Sequence, residues 1–151
     1  MTPVPPVWRE ATRADVAAVV ALLADDVFGR GREGTDLTPY LAAFDAMQRE
    51  GDNRLIVAEA EGRVVACYQI TLISGLSLSA ARRAQIEGVR VAADRRGRGL
   101  GAALIADAEA RARAGGATLL QFTTNAARTD AQRFYQRLGF TPSHIGFKKT
   151  L

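Results

Sequence analysis

QIEGVRVAADRRGRGLGAAL, residues 85–104, is the stretch on which the fold turns. Gln85 to Ala92 alternates imperfectly around Ile86, Val89 and Val91, as a bulged strand does. A basic, glycine-bearing loop follows. From Gly99 to Ala114 the spacing of Leu100, Leu104 and Ala108 predicts a helix with those residues inward, and Gly115-Gly116 stops it. Asp107 with Arg111, and Glu109 with Arg113, are i,i+4 pairs expected on its outer face. Gly97, Gly99 and Gly101 remove side chains where backbone N–H groups must turn toward an anion, and the helix start adds the positive end of its dipole. A diphosphate fits such a loop. The plainer alternative is a tight turn with spare glycines.

Outward from this stretch, the remaining elements read as one mixed α/β order. Val7 to Glu10 is a short strand, and Thr12 with Asp15 resembles a capping box that opens an alanine-rich helix running to about Val27. Residues 28–36, FGRGREGTD, are a loop whose three glycines suit a mobile lid over a substrate. Thr38-Pro39 opens a second helix to about Glu50, with Leu41, Phe44 and Met47 or Gln48 on one stripe. Arg54 to Ala60 and Arg63 to Ile73 form an antiparallel hairpin joined by Glu61-Gly62. After the central helix, Leu119 to Thr124 is a strand. Thr129 with Gln132 starts a helix that buries Ala131, Phe134 and Leu138 and ends at Gly139. Ile145 to Leu151 closes the chain as a strand. The order is β-α-α-β-β-β-α-β-α-β, without repeat or linker, and a single domain over residues 1–151 is expected.

Composition narrows the class. The chain has 151 residues, 48% hydrophobic and 24% charged, with five prolines, which suits one soluble globular domain. Its one cysteine, Cys67, excludes an intramolecular disulfide or a multi-cysteine metal site, suits a reducing cytoplasm, and reads as an inert core thiol in VVACYQI. The N-terminus MTPVPPVWRE lacks the apolar run of a secretory signal. Val64 to Ala81 is uncharged, but Gln69, Thr71 and its glycine and serines make it a strand and loop rather than a membrane span. Six arginines (82, 83, 90, 95, 96, 98) and two acids (Glu87, Asp94) lie between Arg82 and Arg98, a local excess of four that equals the net charge of +4. Such a compact cluster suits one polyphosphate ligand better than a long duplex. A solvated, arginine-rich face is the alternative.

Two phosphate motifs can be set aside. Gly97, Gly99 and Ala102 satisfy G-x-G-x-x-A, but ATLLQFTTNAAR, residues 117–128, holds no acid for a ribose hydroxyl, and five residues separate Val91 from the first of the glycines. No Gly-Lys-Ser/Thr follows them, so a P-loop fails as well.

Arg96-Gly97-Arg98-Gly99-Leu100-Gly101 resembles the R/Q-x-x-G-x-G/A pyrophosphate loop of the GCN5-related N-acetyltransferases (GNAT). The preceding IEGVRVAADRRG is similar to that family's bulged fourth strand. Asn125, Ala131, Phe134, Tyr135, Leu138, Gly139 and Phe140 in NAARTDAQRFYQRLGF resemble its second acetyl-CoA motif. The implied fold is a mostly antiparallel twisted sheet with a splayed parallel pair of fourth and fifth strands and helices on both faces. The implied activity is transfer of an acetyl group from acetyl-CoA to a primary amine by direct attack. Val89 and Val91 backbone groups would lie against the pantetheine arm, the loop Arg96, Gly97, Arg98, Gly99, Leu100, Gly101 and Ala102 around the pyrophosphate, and Asn125 beside the cofactor. The Val91 N–H, or a neighbour, would face the acetyl oxygen.

Within that resemblance Tyr135 is the general acid for the departing thiolate; otherwise a Tyr beside Phe134 is a core residue. Glu87, a carboxylate in the apolar run QIEGVRV, is either a general base for the incoming ammonium or an ion-pair partner of Arg90 or Arg83. His144 is the single histidine and makes no zinc site with the ligands visible, so no metal is expected. Arg128, Asp130, Ala131, Arg133, Phe134, Tyr135, Ser143, His144, Phe147, Lys149 and Leu151 resemble the aminoalkylphosphonate N-acetyltransferase branch, implying a small amine with an acidic group. The rival classes are a basic nucleic-acid-binding module, disfavoured because the arginines crowd one loop, and a non-catalytic acyl-CoA sensor. Neither a nucleic-acid nor a membrane partner is expected, and the resemblance is compatible with a homodimer.

Overall fold

The computed structural model describes residues 3–26 and 29–151. Its strands are β1 (Val7–Glu10), β2 (Asn53–Ala60), β3 (Arg63–Ile73), β4 (Arg83–Val91) and β5 (Leu119–Gln121). Its helices are α1 (Val16–Ala24), α2 (Thr38–Glu50), α4 (Leu100–Ala114) and α5 (Thr129–Arg137), while the four-residue α3 (Ser77–Ala80) is a left-handed turn with Leu78, Ser79 and Ala80 at φ of 54°, 58° and 61°. The sheet runs β1-β2-β3-β4-β5, antiparallel throughout except for the parallel β4–β5 pair. This is the mixed α/β fold expected. The chain forms two compact units, one ending at Gln121 and one from Phe122 to Leu151.

Local chemistry accounts for the first unit. The Asp15 carboxylate accepts the Thr12 N–H at 2.7 Å and the Thr12 hydroxyl at 3.2 Å, the acidic half of the capping box. Glu61 and Gly62 both hold positive φ (53° and 72°), so the two-residue β2–β3 connection twists with its strands. Pleating then sorts the sheet into two faces. On one, Leu55, Val57 and Cys67 meet Val16, Val19 and Val20 of α1 and Phe44 of α2. On the other, the alternating residues Ile56, Tyr68, Ile70, Ala84 and Ile86 are buried, and the Tyr68 hydroxyl reaches Asp107 of α4 at 2.5 Å. Leu100, Leu104, Ile105, Ala108 and Ala112 supply the buried stripe of α4.

Several expectations require correction. α1 stops at Ala24, and Val27, like Phe28 of the glycine loop, lies outside the described residues. The loop is also less bare than its glycines suggest: the Tyr40 hydroxyl donates to Glu33 at 2.7 Å and accepts the Gly34 N–H at 2.8 Å. A Cβ at Gly29 would stand 1.9 Å from the Leu23 carbonyl oxygen, so that glycine serves a close approach. Asp107 does not face outward with Arg111; it is mostly covered, accepting from both buried Tyr68 and Arg111 (2.8 Å). Burial and this bond push the Tyr68 hydroxyl's pKa upward.

β5 ends at Gln121 rather than Thr124, and β4 bulges beyond its last paired residue: Cys67 and Gln69 on β3 face Arg90 and Glu87 on β4, with Gly88 at φ 59° between them. Gln85 is the last residue of β4 paired with β5. In the second unit α5 begins at Thr129, but Gln132 donates to the Ala126 carbonyl at 2.9 Å instead of closing a capping box. Ala131, Phe134 and Leu138 are half-buried rather than core. Ile145 to Leu151 is not a strand: Ile145, Phe147 and Leu151 are exposed, and no ladder includes them. Alternation assigns faces, but a strand exists only where another edge accepts its hydrogen bonds.

Candidate cofactor and acceptor site

The first unit brings Glu87, Val89, Val91 and the 96–102 loop onto one connected segment around β4. Ala92 N–H donates to Val65 of β3 at 2.8 Å. Strand alternation therefore turns the polar backbone groups of Val91 the other way, away from β3 and beyond the residues of β4 that pair with β5. The Val91 carbonyl there accepts from Arg96 Nε at 3.2 Å. A short 3-10 turn, Ala93–Arg95, carries the chain away from the sheet into the loop.

Gly97 and Gly99 have φ of 72° and 80°, and Gly99 is the left-handed residue immediately before α4. A Cβ at either would meet nothing within 4 Å, so the requirement for glycine is conformational and the space before the helix is open. The first intrahelical bond found here runs from Ala103 N–H to the Gly99 carbonyl at 3.1 Å. The N–H groups of Leu100, Gly101 and Ala102 precede it, the orphan donors of a helix start. These donors, the dipole and the exposed Arg98 fit a diphosphate.

Most of the arginine cluster has internal work. Arg82 donates to the Gly115 carbonyl (2.9 Å) and Ser74 (2.8 Å), Arg90 pairs with Asp26 at 3.1 Å, and Arg95 pairs with Glu61 at 2.8 Å. Arg96 Nη2 reaches the Asp25 carbonyl at 3.1 Å and its carboxylate at 3.8 Å. Arg83 and Arg98 alone in the segment make no hydrogen bond or ion pair among the described residues. Arg90 is largely covered and its Nε, fully buried, has no partner. Sequence reasoning missed Asp25 and Asp26, which tie the end of α1 to the loop and to the bulge. Two adjacent acids at a helix C-terminus, where the dipole disfavours them, were the available signal.

Glu87 is exposed, and it pairs with neither Arg90 nor Arg83. Its carboxylate accepts from Gln85 Nε2 at 3.1 Å, and Gln85 Oε1 accepts from Gln121 Nε2 at 3.0 Å. Register puts Asn53 opposite Thr71, Thr71 opposite Gln85 and Gln69 opposite Glu87, all on the α1–α2 face of the sheet. Gln69 and Thr71 both donate to Asn53 Oδ1, at 2.8 and 3.3 Å. This polar row was legible only as single amides within β-rich runs. On the same face Cys67 is sealed in, and burial pushes its thiol up to about 12, so it stays protonated and unreactive at neutral pH.

The second unit holds the other two residues. Tyr135 is half-buried, its ring 4.3 Å from Phe122, 5.3 Å from Phe134 and 6.0 Å from Phe140 between centroids. Asn125 is exposed, and its Oδ1 accepts the Ala127 N–H at 2.9 Å, an Asx turn that shapes the approach to α5. His144 is exposed beside the Ser143 hydroxyl (2.7 Å), and no group of metal-ligating side chains occurs among the described residues.

A bulged strand, a left-handed glycine and an open helix start thus follow one another along a single segment of the first unit. The chain belongs to the acetyltransferase (GNAT) family, whose model matches residues 18–140. It is 33% identical over 143 residues to the aminoalkylphosphonate N-acetyltransferase of Salmonella typhimurium, across 95% of this chain and 90% of that one. Among solved structures, a transcriptional regulator from Bacillus halodurans C-125 superposes with a TM-score of 0.92 at 40% identity, over 97% of this chain and 99% of that one. An acetyltransferase of Trypanosoma brucei shares the fold at TM-score 0.80 and 23% identity, over 97% and 99% of the two chains.

Proposed function

We propose that residues 1–151 form one N-acetyltransferase domain that moves an acetyl group from acetyl-CoA to the primary amine of a small molecule. The single observation that carries this is the pairing of the open α4 start, with its left-handed Gly99, to the β4 edge beyond Gln85. The extent of the domain is supported by relatives that match nearly the whole chain. The first donors of α4, with Arg96, Gly97, Arg98 and Gly99, would hold the diphosphate, and Val89 and Val91 would line the arm. Asn125 retains a side-chain N–H for the cofactor while its oxygen shapes the turn. The bound thioester supplies an activated acetyl carbon.

The protein's own part is placement and proton transfer. Glu87, exposed and held by Gln85, takes a proton from the incoming ammonium, directly or through water. The Val91 N–H lies on the β4 edge beyond Gln85, where it can donate to the oxygen that gains charge. Tyr135 donates its phenolic proton to the departing sulfur. The relative's name, with its aminoalkylphosphonate, supports an acceptor that is small and acidic. A cytoplasmic location rests on the single buried thiol, and no helix among the described residues is long and apolar enough to cross a membrane. Monomer or homodimer is read by sedimentation.

The name of the Bacillus halodurans relative favours a second reading, a DNA-linked role. Against it, four of the six arginines in the 82–98 segment are engaged internally, by Gly115 and Ser74, Asp26, Glu61 and Asp25. What remains is no continuous basic strip from that segment. Calorimetry with acetyl-CoA and with a mixed oligonucleotide separates the readings, and thiol release with a panel of amines separates enzyme from sensor. Tight oligonucleotide binding with no heat from acetyl-CoA overturns the proposal.

A further inference from the structure

We infer that Arg83 is the anion anchor of the acceptor pocket, so that the enzyme selects primary amines whose other end carries a phosphonate or carboxylate. This rests on the acetyltransferase reading above and names the substrate feature it uses. Arg83, Gln85 and Glu87 alternate along β4, so all three lie on the α1–α2 face of the sheet. Arg83 and Glu87 are four residues apart, about 13 Å along the strand. Gln85 fills the interval, bonded to Glu87 on one side and Gln121 on the other.

The two ends of this row differ in a telling way. Glu87 has a partner, and its partner is neutral. Arg83 is half-buried and makes no hydrogen bond or ion pair among the described residues. Its immediate neighbours are no help: the Cα partners of Arg83 are Ile73 on β3 and Leu119 on β5, both apolar. The cations beside it in sequence and on the strand are matched, Arg82 by Ser74 and Gly115, Arg90 by Asp26. The Arg83 guanidinium nitrogens reach solvent and have no acceptor of the protein's own, so an oxyanion can take the place of their water and gain charge-assisted, forked hydrogen bonds. The face therefore offers a carboxylate for an ammonium at one position and an unmatched guanidinium for an oxyanion at the other. Between them Gln85, Thr71, Gln69 and Asn53 give a polar, uncharged floor. The row is complementary to a short zwitterion and indifferent to a plain alkylamine.

The test compares 2-aminoethylphosphonate, β-alanine and n-propylamine with the full chain and with Arg83→Met and Arg83→Lys. The expected result is that Arg83→Met lowers the ratio of kcat/KM for the acidic amines over n-propylamine by roughly 10- to 100-fold, the loss of a charge-assisted bond, mainly through KM. Arg83→Lys restores part of that ratio, because the charge remains and the fork does not. An unchanged ratio overturns the inference and leaves the acetyltransferase reading standing. If no amine releases thiol, that reading fails by itself. Calorimetric binding of 2-aminoethylphosphonate to wild type and Arg83→Met then decides the anchor, and equal affinity overturns it.

Discussion

At the scale of single residues, the proposed chemistry divides between two side chains in unlike settings. Tyr135 is packed among three aromatic rings, which fix its ring plane and leave its hydroxyl as the polar handle. Tyr135→Phe keeps those ring contacts and removes the donor. It should lower kcat by about 10- to 100-fold with acetyl-CoA affinity nearly unchanged, measured by steady-state thiol release beside calorimetry. Unaltered kcat would return Tyr135 to a packing role. Glu87 is the opposite case, exposed and oriented by one amide. Glu87→Gln keeps the shape but cannot accept a proton, so kcat/KM at neutral pH should fall by roughly 100-fold. The deficit should shrink as pH rises, because an amine already deprotonated in solution needs no base. A pH–rate profile of the variant parallel to the wild type's would show that Glu87 only lines the pocket.

At the scale of elements, the α4 start is the part most exposed to a single change. Gly99 at φ 80° and ψ 2° is left-handed, a conformation that costs another residue about 1–2 kcal/mol and a β-branched one more. Gly99→Val should therefore reshape the loop and weaken acetyl-CoA binding by about tenfold or more, read by calorimetry, while Tm falls by only a few degrees and the domain stays folded. Affinity retained in Gly99→Val would mean that no phosphate approaches this backbone. The same element shows what the amino-acid order discloses. Glu61-Gly62, the Gly97–Gly99 loop and the 3.6-residue stripe of α4 were readable because each depends on local backbone or local periodicity. The engagement of Arg90 by Asp26 and of Arg96 by Asp25 was not, since those partners lie 64 and 71 residues apart and meet only through the tertiary fold. The missing final strand has the same origin: Ile145 and Phe147 alternate correctly, but no local rule says whether an edge awaits them.

At the scale of the whole molecule, the β1 edge is held by a charge network far in the strand order from β4 and β5. Arg9 on β1 donates to Asp15 at the start of the α1 region (2.7 and 3.0 Å) and to Glu59 on β2 (2.7 and 3.0 Å). The Arg9 guanidinium, with help from the Thr12 N–H, holds the Asp15 carboxyl at about 2. An unfolded aspartate titrates near 3.9, so its stabilising contribution is present in full above that value and is lost as pH falls toward about 2. The side chain is 11% exposed and its arginine partner 33%, so solvent screening reduces the contribution to on the order of 1–2 kcal/mol. Asp15→Asn should then melt a few degrees below wild type at pH 7, since about 1 kcal/mol shifts Tm by roughly 2–4 °C in a domain of this size. The gap should narrow between about pH 4 and pH 2 and close below it, followed by thermal melts at each pH. A gap that stays constant across that range would mean that the aspartate acts through the shape of its cap and not through its charge. The β1 strand would then owe its place to the β2 ladder alone, with Arg9 reporting the network without sustaining it.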